Sequence, residues 1–335
     1  MKRSGVNYDV GNELVGLVSR PTFDPHIVHR ELEIIKNDLH CNAVRISGKD
    51  IDRLMQAAED ALKQRLEVWL SPQLYDKNER ETLDYVLECA TAAETLRQRW
   101  SQLVFILGCE LTLFMQGFLE GNNVFERLGN PALRESIKTG AHNKPLNAFL
   151  AKANEAVRKV FRGEVTYASP PLEAVDWSIF DYVCLDHYRE ARNKDSYGEP
   201  LKPYFAHNKP VIITEVGCCT YQGAENAGAM GWAIVDPTKI PPQQLDGDYV
   251  RDEGLQAREL TDLLTILERA RVDGAFVFTF VSPALTHNED PRRDLDMASY
   301  SLVKTYADKH GVSYPDMTWE PKESFMAVAN YFAKR

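Results

Sequence analysis

Short apolar segments alternate with amphipathic helical segments along nearly all of this 335-residue chain. Near-continuous apolar segments are typical of parallel strands that are covered on both faces. Each segment is followed by a helix or by a longer connection, which is the order expected for one (β/α)8 barrel domain over residues 1–335. The predicted strands cover residues 5–9, 41–46, 66–71, 103–108, 164–169, 181–186, 210–215 and 274–280.

A doubly wound parallel sheet is the main alternative to the barrel. Such a sheet usually has a glycine-rich phosphate-binding turn after its first strand, whereas "NYDVGNE" at this position lacks the GxGxxG pattern. The helical segments also begin at recognisable N-caps, with Asp24 before Pro25 and with Asp50. The predicted helices cover residues 25–39, 51–64, 78–101, 144–161, 171–178, 251–271 and 321–334, and 190–207 has only a weak pattern.

Three connections are too long to serve only as links between elements. They cover residues 111–142, 216–250 and 281–318, after the fourth, seventh and eighth predicted strands. Long loops of compact domains commonly form lids or binding walls. Because all three follow strands, we expect them at the C-terminal face of the barrel, where barrel enzymes have their active sites.

Composition restricts the partners of the chain. Its formal net charge is −10 and it has no cluster of Lys and Arg, so nucleic acids and anionic membranes are poor partners. No segment is apolar over the length that a membrane span or a signal peptide requires. A small molecule is therefore the expected substrate. The six cysteines lack CxxC spacing and are expected as reduced thiols in a cytoplasmic protein.

Two glutamates end strands that should face each other across the barrel mouth. Glu110 follows the apolar strand "LVFILGC", and Glu215 ends "PVIITE". The apolar "LTLF" after Glu110 should raise its pKa and keep it protonated as a general acid, while Glu215 could stay ionised as a nucleophile. Paired carboxylates lie ~5–5.5 Å apart in retaining glycosidases and ~6.5–9.5 Å apart in inverting ones. Either glutamate could instead cap a helix or pair with an arginine.

This layout resembles clan A of the retaining glycoside hydrolases, the "4/7" barrel superfamily. The resemblance implies that Glu110 is the acid/base and that Glu215, in "ITEVG", is the nucleophile. It also implies that Arg45 in "NAVRI" supports the nucleophile, and that Tyr188 or His187 in "DHYR" contacts it. The opening "GVNYDVG" further resembles bacterial barrels loosely described as abortive-infection-like.

The chain departs from the clan A pattern at two positions. Cys109 stands where an Asn normally binds the sugar 2-hydroxyl group, and a thiol is a weak donor and a weak acceptor. The eighth strand, "FVFTF", lacks the usual Trp and leaves Phe280 as a substitute. Side chains alternate along a strand, so Cys109 should face the helices if Glu110 faces the site. A bend at Gly108 could change this and make Cys109 a nucleophile, with His187 as its base.

The remaining candidates lie near other strand ends. Tyr8 could line the pocket, and Asp9 could either border it or cap a turn. Arg45 could also bind a substrate carboxylate or form a structural ion pair inside the barrel. His26 and His29 have workable metal spacing without an apparent third ligand, so no metal site is expected.

The leading hypothesis is retaining hydrolysis or transfer at a glycosidic bond of a small glycoside, without a cofactor. In a second hypothesis, the same two carboxylates act as general acid and base on a non-sugar metabolite, in an isomerase or a cyclase. The third is a barrel that binds a partner without catalysis. The first hypothesis requires that Glu110 and Glu215 converge on one cavity.

Overall fold

Eight parallel strands close into a barrel in the computed structural model, which describes residues 1–334. The strands pair in chain order and the first pairs with the last, so the predicted (β/α)8 barrel is confirmed. Their bounds are β1 Arg3–Asp9, β2 Ala43–Gly48, β3 Glu67–Pro72, β4 Leu103–Cys109, β5 Glu164–Ser169, β6 Val183–Asp186, β7 Val211–Val216 and β8 Gly274–Val277.

Helices cover the outside of the barrel and begin where the capping residues predict. Asp24 and Asp50 each accept a backbone N–H bond at the start of the following helix. The helices are α1 Pro25–Asn37, α2 Ile51–Lys63, α3 Glu79–Arg97, α4 Leu111–Phe114, α5 Val124–Gly129, α6 Pro131–Thr139, α7 Asn143–Val160, α8 Glu253–Arg269 and α9 Glu323–Phe332. No helix in this described part of the chain combines the length and apolar character needed to cross a bilayer.

Three local predictions differ from the structure. The helix expected at 171–178 is only a short 3-10 turn, Trp177–Ile179, capped by Asp176. The weakly patterned segment 190–207 contains a 3-10 helix, Glu199–His207. Strand β8 ends at Val277 rather than at residue 280, because the backbone bonds beyond it are divided. Phe278 and Phe280 still donate to β7 and β1, whereas Thr279 bonds to the loop at Tyr300 and Leu302.

The core has two layers, because alternate strand residues point into the barrel or outward to the helices. An inner cluster fills the barrel with Trp69, Cys109 and Phe276 among its members. An outer cluster lies between the strands and the helices and includes Tyr8 and Phe280. Polar residues at the C-terminal ends of the strands lie above the inner cluster, and this end of the barrel carries the candidate site.

Candidate active site

Glu215 on β7 is held from two sides. Its Oε1 atom accepts a hydrogen bond from Arg45 Nη1 at 2.7 Å, and its Oε2 atom accepts one from the Tyr188 hydroxyl at 2.8 Å. The side chain is 13% exposed, whereas that of Arg45 is fully buried. Charge-assisted bonds of this kind are short and strong, and they orient a carboxylate. Glu215 is therefore a positioned carboxylate that still reaches the solvent.

Arg45 reaches Glu215 from β2 across the barrel interior. Its Nη1 atom also donates to Asn7 Oδ1 at 3.2 Å, and its Nη2 atom donates to Ser71 Oγ at 3.2 Å. Asn7 in turn donates to the backbone oxygen of Thr214, next to Glu215. Strands β1, β2, β3 and β7 thus jointly hold one guanidinium group. Sequence reasoning missed Asn7 and Ser71, and the signal that could have found them is a polar residue inside an apolar strand.

Glu110 lies directly after β4 in a backbone conformation that is uncommon for residues other than glycine. Its φ is 48° and its ψ is 42°, the left-handed region, and α4 begins at the next residue. Burial raises the pKa of Glu110 well above its usual range, and the carboxylates of Asp186, Glu215 and Glu173 raise it further. A carboxyl group in such surroundings keeps its proton at neutral pH and can act as a general acid.

Cys109 does not face the helices, so the expectation from strand alternation is wrong. It belongs to the inner cluster of the barrel, and its Sγ donates to Asp186 Oδ2 at 3.4 Å. Alternation holds only within a regular strand, whereas β4 has a register shift between Ile106 and Cys109 and Glu110 lies beyond its end in the left-handed conformation.

The structure does not favour Cys109 as a nucleophile. Burial raises the pKa of its thiol well above the usual range, and Asp186 raises it further, which opposes the reactive thiolate. The proposed base His187 is also turned elsewhere, because its Nε2 atom bonds to the Tyr197 carbonyl at 2.7 Å and its ring stacks on the Tyr197 ring. Of the side chains of His187 and Tyr188, only that of Tyr188 binds the Glu215 carboxylate; His187 meets Glu215 through its backbone N–H, which donates to the Glu215 carbonyl at 2.9 Å.

Asp186 at the end of β6 adds a third acid to the cluster. It is 1% exposed, and its Oδ1 atom is 3.8 Å from Arg45 Nη1. Burial raises its pKa to about 8, and the charge of Glu215 adds to the shift. One guanidinium thus lies near two acids, and it is closer to Glu215. We therefore expect Asp186 to be mostly protonated at neutral pH.

Two aromatic candidates from the sequence lie outside the site. Tyr8 is fully buried in the outer layer, and its hydroxyl donates to Glu31 on α1. Phe280 is also fully buried there, with its ring 5.5 Å from that of Trp319 and 6.3 Å from that of Tyr8. Both predictions are corrected by strand geometry: Tyr8 occupies an outward position of β1, and Phe280 lies beyond the end of β8. Phe278, which is partly exposed and packs on Tyr300, lies closer to the strand end.

Asp9 lies at the rim of the mouth, where it caps a turn. Its Oδ1 atom accepts bonds from the backbone N–H of Gly11 and from Asn12 Nδ2, both at 3.0 Å. Gln73 Oε1 then accepts from Asn12 at 2.8 Å and from the Tyr75 hydroxyl at 2.6 Å. This polar chain leads from the rim toward the acidic cluster. It offers hydrogen-bonding groups suited to a hydroxyl-rich ligand.

Tyr75, at the inner end of this polar chain, is influenced by the charges of the cluster. Burial raises the pKa of its hydroxyl well above the usual range, and the negative charges of Asp9 and Glu215 raise it further. The hydroxyl therefore keeps its proton and remains a hydrogen-bond donor at neutral pH.

The long loops after β4 and β7 touch each other through an aromatic pair. Phe125 on α5 and Trp232 have ring centroids 5.7 Å apart. Trp232, like Tyr188 and Phe278, packs against a buried hydrophobic cluster that includes Tyr221 and Tyr300. The two loops that follow the glutamate-bearing strands are thus connected.

Cys109, Asp186 and Glu215 have donor atoms within 4.8 Å of one another, which is close enough to suggest a metal ion. The Arg45 guanidinium, however, is 2.7 Å from Glu215 and 3.8 Å from Asp186, so a positive charge already occupies this region. A divalent cation here would be repelled by Arg45. We therefore interpret the cluster as an ion-pair network.

Comparisons with known proteins support the fold alone. No family model matches the chain, and no curated protein matches it. Among solved structures, a family 113 β-mannanase from Alicyclobacillus acidocaldarius is 14% identical with a TM-score of 0.61, covering 99% of this chain and 97% of its own. A mannanase from Thermotoga petrophila is 10% identical with a TM-score of 0.55, covering 100% of both chains.

A β-glucosidase from Pyrococcus furiosus is 11% identical with a TM-score of 0.55, covering 98% of this chain and 94% of its own. Each likeness extends over the whole barrel and its surrounding helices, at identities that establish shape and not activity. The chain thus has a (β/α)8 barrel fold similar to those of the two mannanases and the β-glucosidase.

Proposed function

We propose that this protein is a retaining glycoside hydrolase that acts on a small glycoside, with Glu215 as nucleophile and Glu110 as acid/base. One observation carries the proposal: the two glutamates influence each other electrostatically, but their immediate partners differ. Glu215 is held by a guanidinium and a phenol hydroxyl, whereas burial and neighbouring carboxylates favour the protonated form of Glu110. Environments that separate the protonation states of two carboxyls are the pattern expected of an acid and a nucleophile.

In the first step, a Glu215 oxygen attacks the anomeric carbon while the bond from that carbon to the leaving oxygen breaks. Glu110 gives its proton to the leaving oxygen, so the aglycone departs as a neutral alcohol. Arg45 and Tyr188 hold the attacking carboxylate in one orientation. The products of this step are a covalent glycosyl-Glu215 ester and an ionised Glu110.

In the second step, Glu110 takes a proton from water, and the water oxygen displaces Glu215 from the anomeric carbon. Glu215 carries no negative charge while it is an ester, so the pKa of Glu110 is lower at this stage and the group can act as a base. Release of Glu215 as a carboxylate restores the repulsion that makes Glu110 hold its proton. The cycle thus closes without a cofactor.

A hydroxyl-rich substrate of small size suits the surroundings of the glutamates. The polar chain from Asp9 through Gln73 to Tyr75 provides both donors and acceptors near the strand ends. The Phe125–Trp232 contact connects loops above the strand ends and favours a pocket over an open cleft for a polymer. All six cysteines are free and buried, which fits a reducing cytoplasmic setting.

The test is covalent trapping with 2-deoxy-2-fluoro aryl glycosides of the β-mannosyl, β-glucosyl and β-glucuronyl series. We expect a stoichiometric burst of the phenol, a mass increase of one fluorosugar, and a labelled peptide that contains Glu215. Glu215→Gln should remove the label. A label on another residue, or no label with any sugar while a native glycoside is turned over, would contradict the assignment.

A second candidate function is supported by the side chain beside Glu110. Cys109 donates to Asp186 rather than standing free to bind a sugar hydroxyl, which favours acid/base chemistry on a non-sugar metabolite. Such an enzyme would form no adduct with any fluorosugar. Its activity would still disappear in both Glu110→Gln and Glu215→Gln, and this result would separate it from a barrel that only binds a partner.

A further inference from the structure

Glu173 lies beyond β5, outside every motif noted in the sequence, and it is 4% exposed. Its Oε1 atom accepts a hydrogen bond from the backbone N–H of Thr112 at 3.0 Å. Its Oε2 atom accepts from the Tyr167 hydroxyl at 2.8 Å and from the Ser169 hydroxyl at 3.2 Å. Both oxygens are thus engaged, and one of them binds the chain two residues after Glu110.

Tyr167 extends this contact to the residue next to Glu110. Its hydroxyl donates to Glu173 and accepts the backbone N–H of Leu111 at 2.7 Å. The backbone N–H of Glu110 donates to the carbonyl of Ala168 at 3.0 Å. Three successive amides, at residues 110, 111 and 112, are therefore bound by β5 and by the loop that follows it.

These three bonds explain how Glu110 keeps a left-handed backbone. A residue with a Cβ atom adopts φ near +50° only when its surroundings determine the conformation. Here the partners lie on a neighbouring strand and its loop, so they determine where α4 begins and where the Glu110 carboxyl points. Outside this conformation, Glu110 would continue strand β4 and its side chain would follow a different direction.

Glu173 also acts on Glu110 through charge. Burial raises the pKa of Glu173 to about 7, so its carboxyl ionises near neutral pH. Burial is also the main cause of the raised pKa of Glu110, and the charges of Asp186, Glu215 and Glu173 add to it against the opposite effect of Arg45. Cys109 and Tyr167 are the other titratable groups that face this part of the site.

We propose that Glu173 is a positioning residue of the candidate site: with Tyr167 it holds Glu110 in the orientation required of the acid/base, and its charge helps Glu110 to retain the proton. The proposal rests on the proposed function. It assigns a catalytic consequence to a carboxyl group that does not touch the substrate.

The first experiment measures the dependence on the leaving group with aryl glycosides that the trapping panel identifies as substrates. Glu173→Gln should lower kcat/KM by about tenfold for a phenyl leaving group, which needs a proton, and by much less for a dinitrophenyl group, which does not. Tyr167→Phe should show the same difference. An equal loss for both leaving groups would mean a general structural defect and would overturn the proposal.

The second experiment follows the pH profile of kcat/KM. Glu173→Gln removes a negative charge near Glu110, so the pKa of Glu110 falls and the alkaline limb moves to lower pH. Tyr167→Phe keeps that charge and should move the limb less. Glu31→Gln is the matched control, because Glu31 is another buried carboxylate that accepts a tyrosine hydroxyl bond, at the outer face of the barrel. An alkaline limb that is the same in Glu173→Gln as in the wild type would contradict the electrostatic part.

A third measurement does not depend on turnover. The glutamate side-chain carboxyls are labelled with carbon-13 and titrated by NMR, and the Glu110 signal is assigned by its loss in Glu110→Gln. The pKa of Glu110 should be lower in Glu173→Gln than in the wild type. If no glycoside is turned over but this shift is seen, the contact of Glu173 stands and the glycosidase assignment fails. If the shift is missing, the role of Glu173 fails.

Discussion

An arginine–glutamate–tyrosine triad at the barrel mouth can be compared with a second one between the barrel and helix α1. At the mouth, Glu215 accepts single bonds from Arg45 and Tyr188 and remains 13% exposed. Behind the wall, Glu31 on α1 accepts two bonds from Arg20 at 3.0 Å, one from Tyr8 and one from Trp319 at 2.9 Å. The side chain of Glu31 is only 2% exposed.

The two triads differ in how many hydrogen bonds their carboxylate accepts and in the charged groups that surround it. Glu31 has its accepting capacity filled and lies next to one guanidinium. Glu215 has fewer bonds, and two further acids share its surroundings: its charge adds to the effect of burial in raising the pKa of both Asp186 and Glu110. Removing one member of a saturated buried pair destabilises a fold, whereas a crowded, partly exposed carboxylate is typical of a functional site. The types of residue in a cluster therefore do not by themselves identify a functional site.

The largest expected effect is on catalysis at the mouth triad. Glu215→Gln removes the nucleophile, and we expect kcat to fall by roughly 10⁴-fold or more. The protein should still fold, since the isosteric amide keeps the volume and can still accept a bond from Arg45. Turnover of the activated aryl glycoside and the circular dichroism melting curve measure the two properties. Activity that survives this substitution would place the nucleophile elsewhere.

The next effect is on stability at the outer triad. Glu31→Gln leaves Arg20 buried without its carboxylate, and breaking a buried pair costs about 3–5 kcal/mol of the free energy of unfolding. Urea denaturation of the wild type and the variant gives this difference. The kcat of the folded fraction should not change. A fall in the kcat of the folded fraction would mean that the outer triad is coupled to the site.

Asp186→Asn should change how stability depends on pH. The pKa of Asp186 is raised from 3.8 to about 8 in the folded state, so the folded protein binds its proton more tightly than the unfolded chain. The stability from this proton is complete below pH ~4 and is lost as the pH rises to about 8. The variant cannot ionise at this position and should lose less stability over that range. Parallel curves of Tm against pH for both proteins would show that Asp186 is ionised throughout.

The smallest effects are expected for the two tyrosines, which compare the triads directly. Tyr188→Phe removes one bond to the Glu215 carboxylate, worth roughly 1.5–3 kcal/mol, so kcat/KM should fall by about tenfold to a hundredfold. Tyr8→Phe removes a similar bond to Glu31 and should lower the free energy of unfolding by a comparable amount. If Tyr188→Phe also changed only stability, the two triads would be equivalent and the mouth triad would have no catalytic role.

The fold can be predicted from the sequence because hydrophobic patterning is a local property that repeats. Eight apolar segments and their capped helices identify the barrel, and residues at strand ends must then meet at one face. The order of the strands alone therefore predicts Glu110, Glu215 and Arg45 at the mouth. The same patterning extends β8 too far and predicts a helix at 171–178. Apolar content does not reveal that the backbone bonds of residues 278–280 are shared between the neighbouring strands and a loop, or that only a short 3-10 turn forms at Trp177–Ile179.

The details of the site depend on contacts between distant parts of the chain. Alternation along β4 predicts Cys109 toward the helices, but the left-handed turn at Glu110 is determined by Tyr167 and Glu173, which are distant from it in sequence. Tyr8 points outward because it alternates along β1 with Asn7, which points inward to Arg45, and only the fold shows that its hydroxyl then meets Glu31 on α1. Residue type and element order are local properties, so the chemical groups near the barrel mouth can be read from the chain. Which of these groups share a proton, a charge or a hydrogen bond depends on pairs of distant residues, so it becomes known only from the folded protein.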